Sequence, residues 1–178
     1  MTKRFIFTLT GPDQVGIVKR ITQIILEFSG NVEASKMARL GGEFTMLMLV
    51  ACPGNQFEGL KQQLVQLEQD GFQVLVCLSS DEKKQNYEGW LPYQIKVHGA
   101  DHEGIVHRIT QALSNHNINI ETMDTSIIHA PMSGTPLFSM LAIVIVPPSL
   151  SFQLWRKTLD AISYETNINI EIGPYTGS

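Results

Sequence analysis

The stretch TGPDQVGIVKRITQ, residues 10–23, recurs later in the chain as HGADHEGIVHRITQ, residues 98–111. Nine of the 14 positions are identical in the two copies, including a Gly-x-Asp turn and the following Gly-Ile-Val and Arg-Ile-Thr-Gln segments. A turn-forming segment that passes into apolar residues at helical spacing indicates a helix that begins directly after a strand. The sequence therefore contains the same strand-to-helix junction twice.

The residues around the first copy predict a complete βαββαβ unit. Phe5, Phe7 and Leu9 alternate before the turn, as in a half-buried strand. The following helix is predicted to end at Gly30-Asn31, and Gly41-Gly42 is typical of a tight hairpin turn. The predicted elements are a strand over 4–10, a helix over about 14–29, strands over 32–40 and 44–52, a helix from about 57 to Gly71, and a strand over 74–78.

The second half repeats this order, and a polar, charged segment, DEKKQNYEG, separates the halves as a linker over residues 81–89. The main difference is a longer hairpin loop, HAPMSGTP, over residues 129–136. We therefore predict an α+β protein of two ferredoxin-like domains, residues 1–80 and 90–175, each an antiparallel sheet with its helices on one face. The repeated elements are strands over 91–98, 118–128, 137–146 and 168–172, with helices around 105–113 and 152–162.

The central strands are apolar on both alternating faces, as in FTMLMLVA and FSMLAIVIV. A strand of that kind is covered on two sides, so the face of each sheet away from its helices is expected to meet another layer. A second repeat or a second copy of the chain is the simplest cover, and we expect a homo-oligomer.

Composition excludes several classes of protein. The formal net charge is −4 and the basic residues are scattered, which argues against direct binding of nucleic acid. No apolar run reaches the length of a membrane span, and the N-terminal apolar run is too short for a signal peptide. Cys52 and Cys77 each lie in or beside an apolar strand and are expected to be buried free thiols in a cytoplasmic protein.

Each repeated loop opens a helix whose first backbone N–H groups lack an intrahelical partner, next to the positive end of the helix dipole. Such an end attracts a small anion, for instance a carboxylate. Alternatively, Asp13 and Asp101 cap their own helices. Gly16 and Gly104 lack a Cβ atom, which allows close approach of either a ligand or a neighbouring backbone.

The chain resembles a tandem pair of ACT domains, the small-molecule-sensing modules that regulate amino-acid metabolism. The resemblance rests on the duplicated βαββαβ order, on the Asp-x-x-Gly-Ile-Val openings at 13–18 and 101–106, and on Asn31 and Asn119 at the start of each second strand. The stretches GPDQVGIV and RLGGEFTMLMLV further resemble the glycine cleavage system transcriptional repressor group.

The resemblance implies that a free amino acid binds where ACT units meet. The first loop would supply backbone N–H groups, and the asparagine a side-chain amide, often across the interface. Asp13, Asp101 or an asparagine carbonyl would then receive the ammonium group. The implied ligand-binding residues are Gly11, Pro12, Asp13, Gln14, Val15, Gly16, Ile17 and Asn31 in the first half, and Gly99, Asp101, His102, Glu103, Gly104, Ile105 and Asn119 in the second.

Metal binding and catalysis are disfavoured. His98, His102, Glu103 and His107 cluster in sequence, but His102 and His107 are five apart and do not share one helical face. No nucleophile–base arrangement or phosphate-binding glycine loop is present, and we predict no cofactor. The recurring Glu33 and Glu121 are interpreted as solvated edge residues.

The leading hypothesis is therefore a non-enzymatic amino-acid sensor, with glycine favoured as ligand, that acts through a protein partner such as a transcription factor. The alternative is an interaction subunit of an enzyme of amino-acid metabolism that binds no ligand of its own. A third hypothesis, a small enzyme that uses His102 and Glu103, has no reaction attached to it.

Overall fold

A computed structural model describes residues 1–79, 87–129 and 134–177. The chain divides into two compact units, residues 1–85 (unit 1) and 86–178 (unit 2). Most of the predicted linker, residues 81–86, lies outside the described residues, so the linker stays a prediction. Residues 130–133 of the long hairpin loop also lie outside them.

Unit 1 has the predicted βαββαβ order. Its four strands form one antiparallel sheet in the order β2-β3-β1-β4, so that β2 and β4 are the edges. A short 3-10 helix, Gln66–Asp70, extends the second helix before the last strand. The elements are β1 (Thr2–Pro12), α1 (Ile17–Glu27), β2 (Asn31–Leu40), β3 (Glu43–Pro53), α2 (Phe57–Val65) and β4 (Gln73–Leu78).

Unit 2 repeats this arrangement, with the sheet order β6-β7-β5-β8. Its second helix is longer and has no 3-10 extension. The elements are β5 (Leu91–Ala100), α3 (Ile105–Asn115), β6 (Asn119–His129), β7 (Pro136–Val146), α4 (Phe152–Thr166) and β8 (Ile168–Pro174). The prediction of two ferredoxin-like units in tandem is confirmed.

Each unit has its own core between one sheet face and its two helices. In unit 1, Phe5, Phe7 and Leu9 of β1 are fully buried against helix residues such as Ile21 and Leu64. In unit 2, the corresponding core is built around Trp155. Because strand side chains alternate, the same strands present their other residues on the outer face of the sheet, the face away from the helices.

The outer face of unit 1 is apolar and open, as Leu47 is 45% exposed and Leu75 is 58% exposed. Cys77 also belongs to this face, because it pairs in register with Ile6 and not with a core residue. The expectation that both cysteines are buried is therefore wrong for Cys77, which is exposed, whereas Cys52 is buried in the core. Alternation along β4 explains the difference.

The helix α1 begins three residues later than the sequence pattern predicts, whereas α3 begins at Ile105, as predicted. The predicted start at Gln14 is wrong, because Gln14 to Gly16 form a turn before α1 begins at Ile17. The predicted helix end at Gly30 is also displaced, since Ser29 is the residue with a left-handed backbone, at φ 54°. The Gly41-Gly42 hairpin is confirmed, with φ of 62° and 90°.

Candidate ligand-binding loops

The helices α1 and α3 both open at a glycine with a left-handed backbone. Gly16 has φ 92° and Gly104 has φ 89°, and no side chain caps either helix. The alternative that Asp13 and Asp101 cap their own helices is therefore wrong. The first intrahelical bonds run from Arg20 N–H to Gly16 O and from Arg108 N–H to Gly104 O, each 3.0 Å.

The two glycines of each repeated loop are required for different reasons. A Cβ atom at Gly11 would lie 2.6 Å from the Phe72 ring, and one at Gly99 would lie 2.8 Å from Ile168 Cγ2. At Gly16 and Gly104 such an atom would meet nothing within 4 Å. The first glycine therefore allows the last strand to pack closely, whereas the second is needed for its positive φ and leaves open space at the helix start.

In unit 1 the loop aspartate forms an ion pair. Arg39 Nη1, near the end of β2, donates to Asp13 Oδ2 at 3.0 Å. The arginine side chain is 71% exposed and the aspartate side chain 37% exposed. The register places Arg39 opposite Phe44 and Phe44 opposite Gly11, so strand pairing brings β2 to the loop.

In unit 2 the loop is attached through a histidine. His102 Nδ1 lies 3.1 Å from Glu103 O, and its Nε2 lies 3.3 Å from Thr166 O at the end of α4. Carbonyl oxygens only accept hydrogen bonds, so a neutral ring satisfies one of these contacts and an imidazolium satisfies both. Asp101 is half-buried, and its carboxylate takes part in none of the ion pairs among the described residues.

Of the remaining predicted loop residues, several can offer only backbone groups or an exposed side chain. Ile17 and Ile105 are buried in the cores, so their side chains face away from any ligand. Gln14 accepts the N–H of Ile17 through its carbonyl at 3.3 Å. Val15 is fully exposed. Pro12 and Glu103 are exposed, the first at the end of β1 and the second in the turn before α3.

The predicted asparagines lie at the other end of each sheet from the loops. Asn31 pairs with Ala51, which pairs with Arg4, whereas the loop follows Pro12 at the far end of β1. Eight residues of strand separate the two levels, a distance of about 26 Å. Asn119 in unit 2 lies at the level of Pro92 in the same way. One unit therefore does not bring its own loop and asparagine together, and a ligand that touches both needs a second such unit.

A β-bulge follows each asparagine. The register of β2 shifts between Val32 and Ala34, and the register of β6 shifts at the equivalent position, so Glu33 and Glu121 are the extra residues. Glu33 forms an ion pair with Arg4 at 3.1 Å. A bulge re-aims neighbouring side chains, and an extra residue in an alternating strand leaves no clear mark in the sequence.

An open groove of about 420 Å³ lies beside Asn31, between α1 and the first residues of β2. Lys19 and Gln23 supply polar groups, and Leu26 and Val32 supply apolar walls. No pattern in the sequence indicates this groove.

The recurring arginine of the first helix has an intramolecular role that the sequence did not show. Arg20 forms an ion pair with Asp70 at 2.7 Å, and Arg108 forms one with Glu165 at 3.2 Å. In both units the arginine thus joins the first helix to the end of the next helical segment. These side chains are about half exposed, so each pair contributes about 1 kcal/mol or less.

The described residues contain neither a membrane-spanning helix nor a metal-binding cluster. No helix within 1–79, 87–129 or 134–177 is long and apolar enough to cross a membrane. Within the same ranges, no three His, Cys, Asp or Glu side chains are close enough together to hold a metal ion.

Comparison with known proteins agrees with this fold. The ACT domain family matches residues 3–76 and 92–171, one match in each unit. These matches cover most of the chain, which therefore belongs to the ACT domain family.

Three individual proteins show how far the similarity extends. The chain is 27% identical over 115 residues to the glycine cleavage system transcriptional repressor of Escherichia coli, across 65% of this chain and 60% of that protein. A protein of unknown function from Galdieria sulphuraria has a solved structure with a TM-score of 0.86 and 31% identity, covering 99% of this chain and all of that one. The crystal structure of a candidate glycine cleavage system transcriptional repressor has a TM-score of 0.68 and 18% identity, with 99% of each chain covered.

The resemblance to the repressor group is thus confirmed at the level of sequence similarity and fold. The chain spans about 60% of the length of the curated repressor it matches.

Proposed function

We propose that this protein is a non-enzymatic regulator that senses a free amino acid and acts through a protein partner. The observation that carries the proposal is the pair of uncapped helix starts, each opened by a left-handed glycine, in a chain built from two ACT domains. The similarity to a glycine cleavage system transcriptional repressor makes glycine the first ligand to test and a transcription factor the first class of partner.

The chemistry of such an amino-acid binding site is simple. The amino acid's carboxylate accepts hydrogen bonds from the first N–H groups of α1 or α3, where the helix dipole favours negative charge. Its ammonium group donates to a loop carboxylate or to an asparagine carbonyl. Because Asn31 lies about 26 Å from its own loop, the asparagine that contacts the ligand belongs to a second ACT unit.

Regulation then follows from linkage. The amino acid changes partner affinity only to the extent that it binds the partner-bound and free forms differently, and the partner changes amino-acid affinity by the same factor. The protein itself needs no catalytic group for this role. We also propose that it is a homo-oligomer in the cytoplasm.

Isothermal titration calorimetry against the common amino acids tests the proposal. We expect heat with one or a few small amino acids at micromolar to millimolar concentration. The double variant Asn31→Ala, Asn119→Ala should weaken binding about tenfold, because a hydrogen bond to a charged ligand is lost. Asn169→Ala is the matched control, since Asn169 lies exposed on β8 and bonds to Glu171 at 3.0 Å. Absence of heat with every amino acid at 10 mM would contradict the proposal.

One observation favours the alternative of an interaction subunit without a ligand. The outer face of unit 1 exposes Leu47 and Leu75, as expected of a surface that docks on another protein. The two functions differ in one measurement, the affinity for a purified partner with and without the amino acid. A partner affinity that is indifferent to every amino acid favours the alternative.

A further inference from the structure

We infer that the two loops are not equivalent, and that only the loop of unit 2 offers a free carboxylate to the ammonium group of an amino acid. Arg39 sets the difference, because it occupies the carboxylate in unit 1. The inference rests on the proposed function. It adds which of the two loops binds the amino acid more tightly and which residue causes the difference in affinity.

Strand register makes the comparison between the units direct. Arg39 lies opposite Phe44, which lies opposite Gly11. Ile127 lies opposite Phe138, which lies opposite Gly99. Arg39 and Ile127 therefore occupy the same place beside their loops, and one carries a guanidinium where the other carries an apolar chain.

The consequence for the two aspartates follows from charge. Arg39 Nη1 donates to Asp13 Oδ2 at 3.0 Å, so the local charge of that pair is zero and an ammonium group has to compete with a bound guanidinium. Ile127 is 56% exposed and has no donor to offer Asp101. Among the described residues, no cation pairs with the Asp101 carboxylate.

The loops also differ in how they are held. In unit 1 the Asp13–Arg39 pair itself joins the loop to β2. In unit 2 that task falls to His102, whose ring contacts the Thr166 carbonyl oxygen at 3.3 Å. The loop of unit 2 is thus fixed without using its aspartate, which is half-buried and available.

The neighbouring residues add to the contrast. Glu103 places a second carboxylate in the loop of unit 2, where unit 1 has Val15. The unit 2 loop thus carries the two carboxylates of Asp101 and Glu103, whereas in unit 1 the Arg39 guanidinium balances the single carboxylate of Asp13. A cationic group is therefore favoured in unit 2 by both the near carboxylate and the local field.

The test follows the backbone amide signals of both loops by NMR during titration with glycine and then with each of the other common amino acids. Gly104 and Ile105 report unit 2, and Gly16 and Ile17 report unit 1. We expect the unit 2 signals to saturate at a concentration about fivefold lower than the unit 1 signals. Equal midpoints, or a lower midpoint for unit 1, would overturn the inference and leave amino-acid sensing intact. No shift in either loop with any amino acid would overturn both.

Exchanging the residues at positions 39 and 127 gives a second test. Ile127→Arg should supply a guanidinium to Asp101 and weaken binding in unit 2 up to about fivefold, because an exposed ion pair contributes about 1 kcal/mol or less. Asp101→Asn removes the carboxylate itself and should weaken binding about tenfold. Arg39→Ile should release Asp13 and strengthen binding in unit 1. Asp160→Asn is the control, because that carboxylate pairs with Arg156 on the exposed side of α4. Positions 39 and 127 are exposed on edge strands, and circular dichroism checks that each variant is folded.

The two exchanges have opposite expected signs, so a general loss of stability cannot imitate the result. Binding that changes in the same direction in Ile127→Arg and Arg39→Ile, or in neither, would overturn the inference. So would equal losses of affinity in Asp13→Asn and Asp101→Asn.

Discussion

The two glycines in the loop of unit 2 should respond oppositely to the same pair of substitutions. A methyl group at Gly99 would lie 2.8 Å from Ile168 Cγ2 and 3.0 Å from Ile168 Cα. Optimal carbon–carbon contacts are about 3.5–4.0 Å, so the overlap is about 0.5 to 1 Å. Because one contact is a backbone atom of β8, the strand pair has to move. Overpacking of this kind costs about 1–3 kcal/mol, and we expect about 2 kcal/mol for Gly99→Ala.

At Gly104 the added atom meets open space, so only the backbone angle matters. A left-handed φ of 89° costs a non-glycine residue about 1–2 kcal/mol, and we expect about 1 kcal/mol for Gly104→Ala. Asparagine adopts this conformation more readily, so Gly104→Asn should cost only a few tenths, on the order of 0.3 kcal/mol. Gly99→Asn should cost more than Gly99→Ala, because the larger side chain increases the overlap.

Urea denaturation, followed by the fluorescence of Trp155, measures the free energy of unfolding of unit 2, which contains both glycines. Trp155 is 1% exposed in the core of unit 2, and a Trp90→Phe background removes the other tryptophan signal. With a slope of about 1 kcal/mol per M, a loss of 2 kcal/mol moves the midpoint by about 2 M. Asparagine less harmful than alanine at 99, or more harmful than alanine at 104, would refute the assignment of the two glycines to packing and backbone angle.

Two further changes test features outside the loops. Glu165→Gln removes the partner of Arg108 and should lower the free energy of unfolding by less than about 1 kcal/mol, because the ion pair is half exposed. The difference should shrink in 1 M salt, and a loss that salt leaves unchanged would contradict a surface ion pair. In a thiol-reagent assay, Cys77 should react in the native protein and Cys52 only after unfolding, since Cys52 is buried and burial raises the pKa of its thiol. Two rapidly reacting thiols in the native protein would contradict the burial of Cys52.

The order of elements was predictable because apolar spacing and turn residues agree in two copies of the chain. Alternation at Phe5, Phe7 and Leu9 put these residues in the core, where all three are fully buried. Helix starts were less predictable, because Gln14 and Val15 are compatible with a helix by composition. Gly16 has a left-handed backbone, and the helix begins only after it. The presence of a glycine does not by itself show which backbone conformation it adopts.

The site was predicted as a set of residues and not as an arrangement. The Asp13–Arg39 contact joins residues 26 positions apart and depends on the register of two strand pairs, which periodicity does not determine. The separation between Asn31 and its own loop depends on strand direction in the same way. The bulge at Glu33 was missed because Val32 and Ala34 still look like an ordinary strand.

A crystal structure of the protein with the amino acid that gives heat in calorimetry will show whether the ligand binds at the start of a helix. We expect a bound amino acid whose carboxylate accepts hydrogen bonds from the first backbone N–H groups of α3, with its ammonium group at Asp101. An amino acid bound elsewhere, for instance in the groove beside Asn31, with the helix starts at Gly16 and Gly104 left empty, would contradict this expectation.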